Sequence, residues 1–101
     1  MNKLEKNLDI VTNYDLVTVE HVAFGGGGKV ANVLVDKNLS INEQLEKAYM
    51  LTQNIEDGWW NNENVKKITK KDAVRSTSME DIMHINNDKY VVAAVGFQKI
   101  N

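Results

Sequence analysis

The chain contains no cysteine and no proline, and only one of its twelve basic side chains, Arg75, is an arginine. Without cysteine there is no disulfide framework, no thiolate zinc site and no thiol nucleophile, which fits a reducing compartment such as the cytoplasm. Long apolar runs are missing too. The N-terminus, MNKLEKNLDIVTNYD, alternates charged and apolar residues without the apolar core of a signal peptide. No segment approaches the roughly 20 apolar residues of a membrane span, so the expectation is a protein neither exported by that route nor embedded in a membrane. Nor is there an excess of positive charge. A formal net charge of −2 disfavours the salt-dependent grip on phosphates by which proteins hold duplex nucleic acid. Any anion site must therefore be local.

What is present suits one small globular unit. A hydrophobic content of 43% in 101 residues supports a single domain over 1–101 with one modest core, and the charged lead 1–13 is set apart as a candidate for disorder. The abundance of asparagine and lysine suggests an AT-rich coding sequence, as in low-GC bacteria and their phages. Residues 14–24, YDLVTVEHVAF, show period-two polarity, and KVANVLVD after the glycine run repeats it, so the two predict a hairpin with GGGG as its loop. Ser40 and Glu43 form the S-x-x-E signature of a capping box, and Ile41, Leu45, Ala48, Thr52 and Ile55 follow at helical spacing. The spacing predicts a helix from 41 to about 55, with Gly58 as its stop. Residues 59–74 read as a loop-rich connection with a short strand near 64–69. DIMHI and YVVAAVGFQKI read as two strands around the four-residue turn NNDK. Strand pair, helix, strand pair predicts an α+β fold, a small antiparallel sheet with one main helix packed on it.

Three features invite a chemical reading. FGGGGK follows a strand and ends in lysine, but the phosphate-loop motif would need glycine at Ala23, a hydroxyl at Val30 and a helix where a strand is predicted, so a hairpin loop is the simpler reading. His21 and His84 stand on separate predicted strands with no second ligand at metal spacing, which makes them ordinary sheet residues. No catalytic motif, metal site or cofactor motif is recognisable, and the expectation is a protein that is not an enzyme. The third feature is Arg75. Lys66, Lys67, Lys70, Lys71 and Arg75 crowd into ten residues of an otherwise acidic chain. A guanidinium offers a planar fork to phosphate oxygens, and the hydroxyls of Ser76, Thr77 and Ser78 can serve the remaining ones. Trp59 and Trp60 just upstream could stack a nucleobase. The structural alternative is that Arg75 pairs with Glu80 or Asp81, that Ser78 to Asp81 is a turn, and that the tryptophans belong to the core or an interface.

Three segments, AYMLTQNIEDGWWNNENV, RSTSMEDI and KYVVAAVGFQKI, spanning about half the chain from Leu45 to the end, resemble small proteins of phages and mobile elements. Among these the chain is similar to anti-defence sponges that counter the bacterial Thoeris system, and its ending also resembles YodL-type domains of conjugative elements. The resemblance implies a non-catalytic protein that sequesters cyclic ADP-ribose-type signals, and cyclic oligonucleotides as a further class, in the infected cell. It implies a homo-oligomer with ligand sites near subunit contacts. The ligand contacts it implies are Arg75 and Thr77, with Ser76 and Ser78 beside them and Tyr49, Trp60 and Asn61 on the base or ribose side. Met79-Glu80-Asp81 stands where the family pattern has Val-Gly-Asp, so Glu80 replaces a glycine. The competing class is a protein–protein module of a phage or conjugative element, acting on a host protein through the Trp59, Trp60 and lysine surface. Single-stranded nucleic-acid binding ranks last on net charge.

Overall fold

The structure is a computed structural model that describes residues 13–101; residues 1–12, and with them nearly all of the lead set apart for disorder, lie outside the described residues. Strands β1 (Tyr14–His21) and β2 (Gly28–Asp36) are followed by helix α1 (Ile41–Leu51), then by β3 (Val65–Lys67), β4 (Ile82–Ile85), β5 (Asp88–Val92) and β6 (Phe97–Lys99). Single 3-10 turns occupy Ala23–Gly25 and Trp59–Asn61. The strands form one six-stranded sheet in the order β3-β2-β1-β4-β5-β6, with every pairing antiparallel. The predicted α+β class, one main helix on an antiparallel sheet, is the class observed.

The alternation read in the sequence buries Val17 and Val19 of β1, Val33 and Val35 of β2, and Met83 and Ile85 of β4 in one core with Leu45 and Ala48 of α1 and Trp59. Between Val19 and Glu20 the register slips, Val19 facing Ala31 and Glu20 facing Lys29. This bulge inserts Val30 as an extra residue, so Val30 and Ala31 are both buried although adjacent. The opposite face carries a polar band, in which Thr18 Oγ1 donates to Asn32 Oδ1 at 2.8 Å and His84 Nε2 meets Glu20 Oε1 at 2.8 Å.

Four boundaries differ from the sequence reading. β1 ends at His21 instead of Phe24, because Val22 and Ala23 turn their N–H groups onto a side chain, Asp81. The capping box of Ser40 and Glu43 is made in both directions, but α1 ends at Leu51 and not near 55. Its last carbonyls are taken by side chains: Thr52 Oγ1 donates to Ala48 O at 2.8 Å, Gln53 Nε2 to Tyr49 O at 2.9 Å, and Asn62 Nδ2 to Leu51 O at 2.7 Å. Gly58 is not the helix stop; its φ is −59°, and a Cβ there would lie 2.3 Å from the Trp60 ring, so it is needed for close approach and not for a left-handed cap. The terminal hairpin turns on two residues, Asn86 and Asn87, both at positive φ, where four were predicted, and its second strand is two strands, β5 and β6.

Candidate functional site

The R-S-T-S segment is organised around Asp81, whose side chain is fully buried. Arg75 grips it with both arms of its fork, Nη1 to Oδ2 at 2.7 Å and Nη2 to Oδ1 at 2.9 Å. The same carboxylate accepts backbone N–H bonds from Val22 at 2.8 Å, Ala23 at 3.0 Å and Ser78 at 2.8 Å. Burial pushes the carboxyl pKa up, but the Arg75 hydrogen bonds and the three backbone donors outweigh it and bring the pKa down to about 2. The pair raises the Arg75 pKa in turn. Arg75 also donates to Ser76 O at 3.0 Å and Ala23 O at 3.1 Å, so four of the five donors of a guanidinium are engaged inside the fold. An anion arriving at Arg75 competes with a bidentate carboxylate already in place.

Two of the three neighbouring hydroxyls, those of Ser76 and Thr77, are also used. Thr77 is buried, its Oγ1 lies 3.1 Å from His21 Nε2, and its backbone bonds Thr52 and Gln53. His21 is buried as well and 3.9 Å from Asp81; burial, together with Arg75 and Lys71, lowers its pKa against the pull of the carboxylate. Ser76 Oγ accepts the N–H of Asn54 at 2.8 Å, and Trp59 Nε1 donates to Arg75 O at 3.0 Å. Ser78, half-buried, leads into the exposed Met79 and Glu80. Glu80 has φ 79°, the left-handed region in which a glycine is unstrained, and glycine is the residue that the resemblance leads one to expect there.

The remaining predicted residues lie elsewhere. Tyr49 meets Phe97 edge to face, ring centroids 6.4 Å apart, in a groove of about 450 Å³ between α1 and the β5–β6 turn. Met79, Val92 and Ala94 complete its apolar wall, and Glu46 adds a carboxylate. Asn61 lines a different recess, of about 440 Å³, beside Glu56 and Asp57. Trp60 packs edge to face on the buried Trp59 at 5.5 Å, with Lys67 Nζ 5.6 Å from its ring. Lys67 is itself fastened to the carbonyls of Lys71 and Asp72. Arg75, Ser76, Thr77 and Ser78 thus form one clasp, Tyr49 belongs to a groove at its Met79 end, and Trp60 and Asn61 belong to neither.

Sequence reasoning passed over Phe24, 83% exposed, whose ring lies 5.2 Å from the Arg75 guanidinium carbon. The signal available was an aromatic residue stranded between a strand and four glycines. Phe97 was read only as part of a strand, although it is the aromatic that completes the Tyr49 groove. No group of three or more histidine, aspartate or glutamate side chains able to hold a metal ion occurs among the described residues, nor does any helix among them have the length and apolarity to cross a membrane. No protein-family model matches the chain, and comparisons with curated proteins and with solved structures gave no match.

Proposed function

We propose that this chain is a phage or mobile-element anti-defence protein that binds a cyclic nucleotide of the cyclic ADP-ribose class and withholds it, intact, from a host effector in the bacterial cytoplasm. The observation that carries the reading is the Tyr49–Phe97 groove, whose volume of about 450 Å³ falls within the range of small-molecule sites. Two rings at a steep angle offer one face to a nucleobase, and the Glu46 carboxylate can accept from an exocyclic amine or a ribose hydroxyl. Met79, directly after Ser78, lines the groove, which ties it to the R-S-T-S segment.

In this reading Tyr49 touches ligand and Ser78 offers a hydroxyl at the rim. Arg75, Ser76 and Thr77 act by holding that rim, since their polar atoms are engaged within the fold. Asn61 borders a more acidic recess suited to hydroxyls, not phosphates, and Trp60 lies outside it. A homo-oligomer is part of the proposal. Calorimetric titration with cyclic ADP-ribose isomers and with cyclic di- and trinucleotides, followed by recovery of the ligand, tests it. Binding with intact ligand, weakened about tenfold or more in Tyr49→Ala through lost base stacking, is expected. No binding of any member, or recovery of altered ligand, overturns the reading.

A further inference from the structure

We propose that Phe24 of one copy of this chain docks into the Tyr49–Phe97 groove of a second copy. The proposal supplies the surface for the self-association in the functional reading and rests on that part of it alone.

Phe24 combines two unfavourable features. Its backbone is left-handed, φ 56° and ψ 38°, which a bulky residue rarely adopts. Its ring is 83% exposed, so within one copy little is recovered for holding it there. Yet the position is fixed. Asp81 accepts the N–H groups of Val22 and Ala23, while the Ala23 carbonyl accepts from Arg75 Nη2 at 3.1 Å and from Gly26 N at 3.1 Å. Strain maintained by a fully bonded surround is the pattern of a site built for use.

The residues around Phe24 define what it fits. Four glycines follow, all at positive φ, and at Gly25 and Gly28 a Cβ would meet nothing within 4 Å, so the loop beside Phe24 carries no side chains of its own. Arg75 supports the ring at 5.2 Å, and Lys71 Nζ reaches to 4.0 Å of where a Gly27 Cβ would stand. The result is a protruding, preorganised phenyl ring with cations beside it. A ring this exposed encloses no small ligand; its complement is an apolar recess carrying a carboxylate on another chain.

This chain has such a recess. The groove is walled by Tyr49, Phe97, Met79, Val92 and Ala94, carries Glu46, and has no cation in its lining. A cavity of about 150 Å³ admits benzene, so a groove of about 450 Å³ has room for a phenyl ring, which would stand where the functional reading puts a nucleobase, so that docking and ligand binding exclude one another. A third ring would extend the edge-to-face pair of Tyr49 and Phe97. Lys71 of the docking copy, whose ammonium stands beside the glycine loop, would face Glu46 of the receiving one. Met79, 51% exposed, and Val95, 93% exposed, flank the groove and would be covered by the same contact. The receiving groove would thereby gain a cation, which its own lining lacks.

Sedimentation velocity of the full chain across a wide concentration range tests the contact, using Phe24→Asp to remove the ring and Ala94→Trp to fill the groove. Both positions are exposed, so an unchanged circular dichroism spectrum is expected. Wild type should assemble, each variant alone should dissociate about tenfold or more readily, and an equimolar mixture of the two should restore a 1:1 species, because one copy keeps the groove and the other keeps Phe24. Assembly of Phe24→Asp indistinguishable from wild type, or failure of the mixture to pair, would overturn the proposal while leaving self-association standing. A wild type monomeric throughout would remove self-association itself, and the nucleotide titration would still decide ligand binding on its own.

Discussion

Replacing Asp81 by alanine removes a buried carboxylate that accepts from both arms of Arg75 and from the backbone of Val22, Ala23 and Ser78. Arg75 is left partly buried without its counter-ion, and three backbone N–H groups lose their acceptor. Breaking a buried ion pair from one side costs about 3 to 5 kcal/mol. A domain of this size is stable by about 5 to 15 kcal/mol, so Asp81→Ala should consume about a fifth or more of the total. Arg75→Ala is milder, about 2 to 3 kcal/mol, because the carboxylate keeps three backbone donors and Arg75 is 30% exposed. Arg75→Lys, which keeps the charge and loses the fork, should be milder still. The double variant Arg75→Ala with Asp81→Ala should cost less than the sum of the two, since each single change includes the cost of the orphan it leaves. Urea denaturation with linear extrapolation reads the series. A cost below about 1 kcal/mol for Asp81→Ala, or strict additivity of the pair, would refute the clasp as the organiser of this end of the fold.

Stability should fall with acid in two stages. Both His21 and Asp81 have folded pKa values below their ordinary ones, so the unfolded chain binds more protons and acid favours it. The first loss begins as pH falls below 6.5 and belongs to His21; the second lies between pH 3.8 and about 2 and belongs to Asp81. Urea midpoints measured against pH should lose the first stage in His21→Gln and the second in Asp81→Asn; a flat profile from about pH 7 to pH 5 counts against the buried histidine. Glu80→Gly should raise stability by about 0.5 to 1 kcal/mol, the relief of a left-handed residue outweighing the added freedom of the unfolded chain. A destabilised Glu80→Gly would mean that the positive φ there is not a source of strain.

The parts of the fold legible in the sequence are those decided within a few residues. Ser40 and Glu43 announce the start of α1 because both halves of a capping box lie in one turn. Its end is set by Asn62, which reaches Leu51 O from the far side of the loop, and no local pattern marks such a contact. Gly58 has the sequence look of a helix stop, but the demand on it comes from the Trp60 ring. The pairing of Arg75 with Asp81 was among the alternatives open at six residues' separation; that the same carboxylate would also take Val22 and Ala23, 59 and 58 residues away, was not. Tyr49 carried a hint only through resemblance, and the groove that gives it a setting depends on Phe97 arriving on a separate strand.

The strand order has a consequence for how the chain opens and closes. β1 pairs with β2 through eight register positions, all reached through one short loop, but with β4 through only Thr18, Val19 and Glu20. That second pairing closes a loop of some sixty residues, whose entropy must be overcome before the contact stabilises anything. The sheet is therefore two zippered halves, β1 to β3 and β4 to β6, meeting along a three-residue seam. Immediately past Glu20 and Ile82, where the ladder would run out, the Asp81 side chain carries the pairing on by bonding Val22 and Ala23. Arg75 locks that extension from the outside, which makes the R-S-T-S segment a buckle across the joint of longest sequence separation in the sheet, where one buried carboxylate adds to the shared core in holding the two halves together.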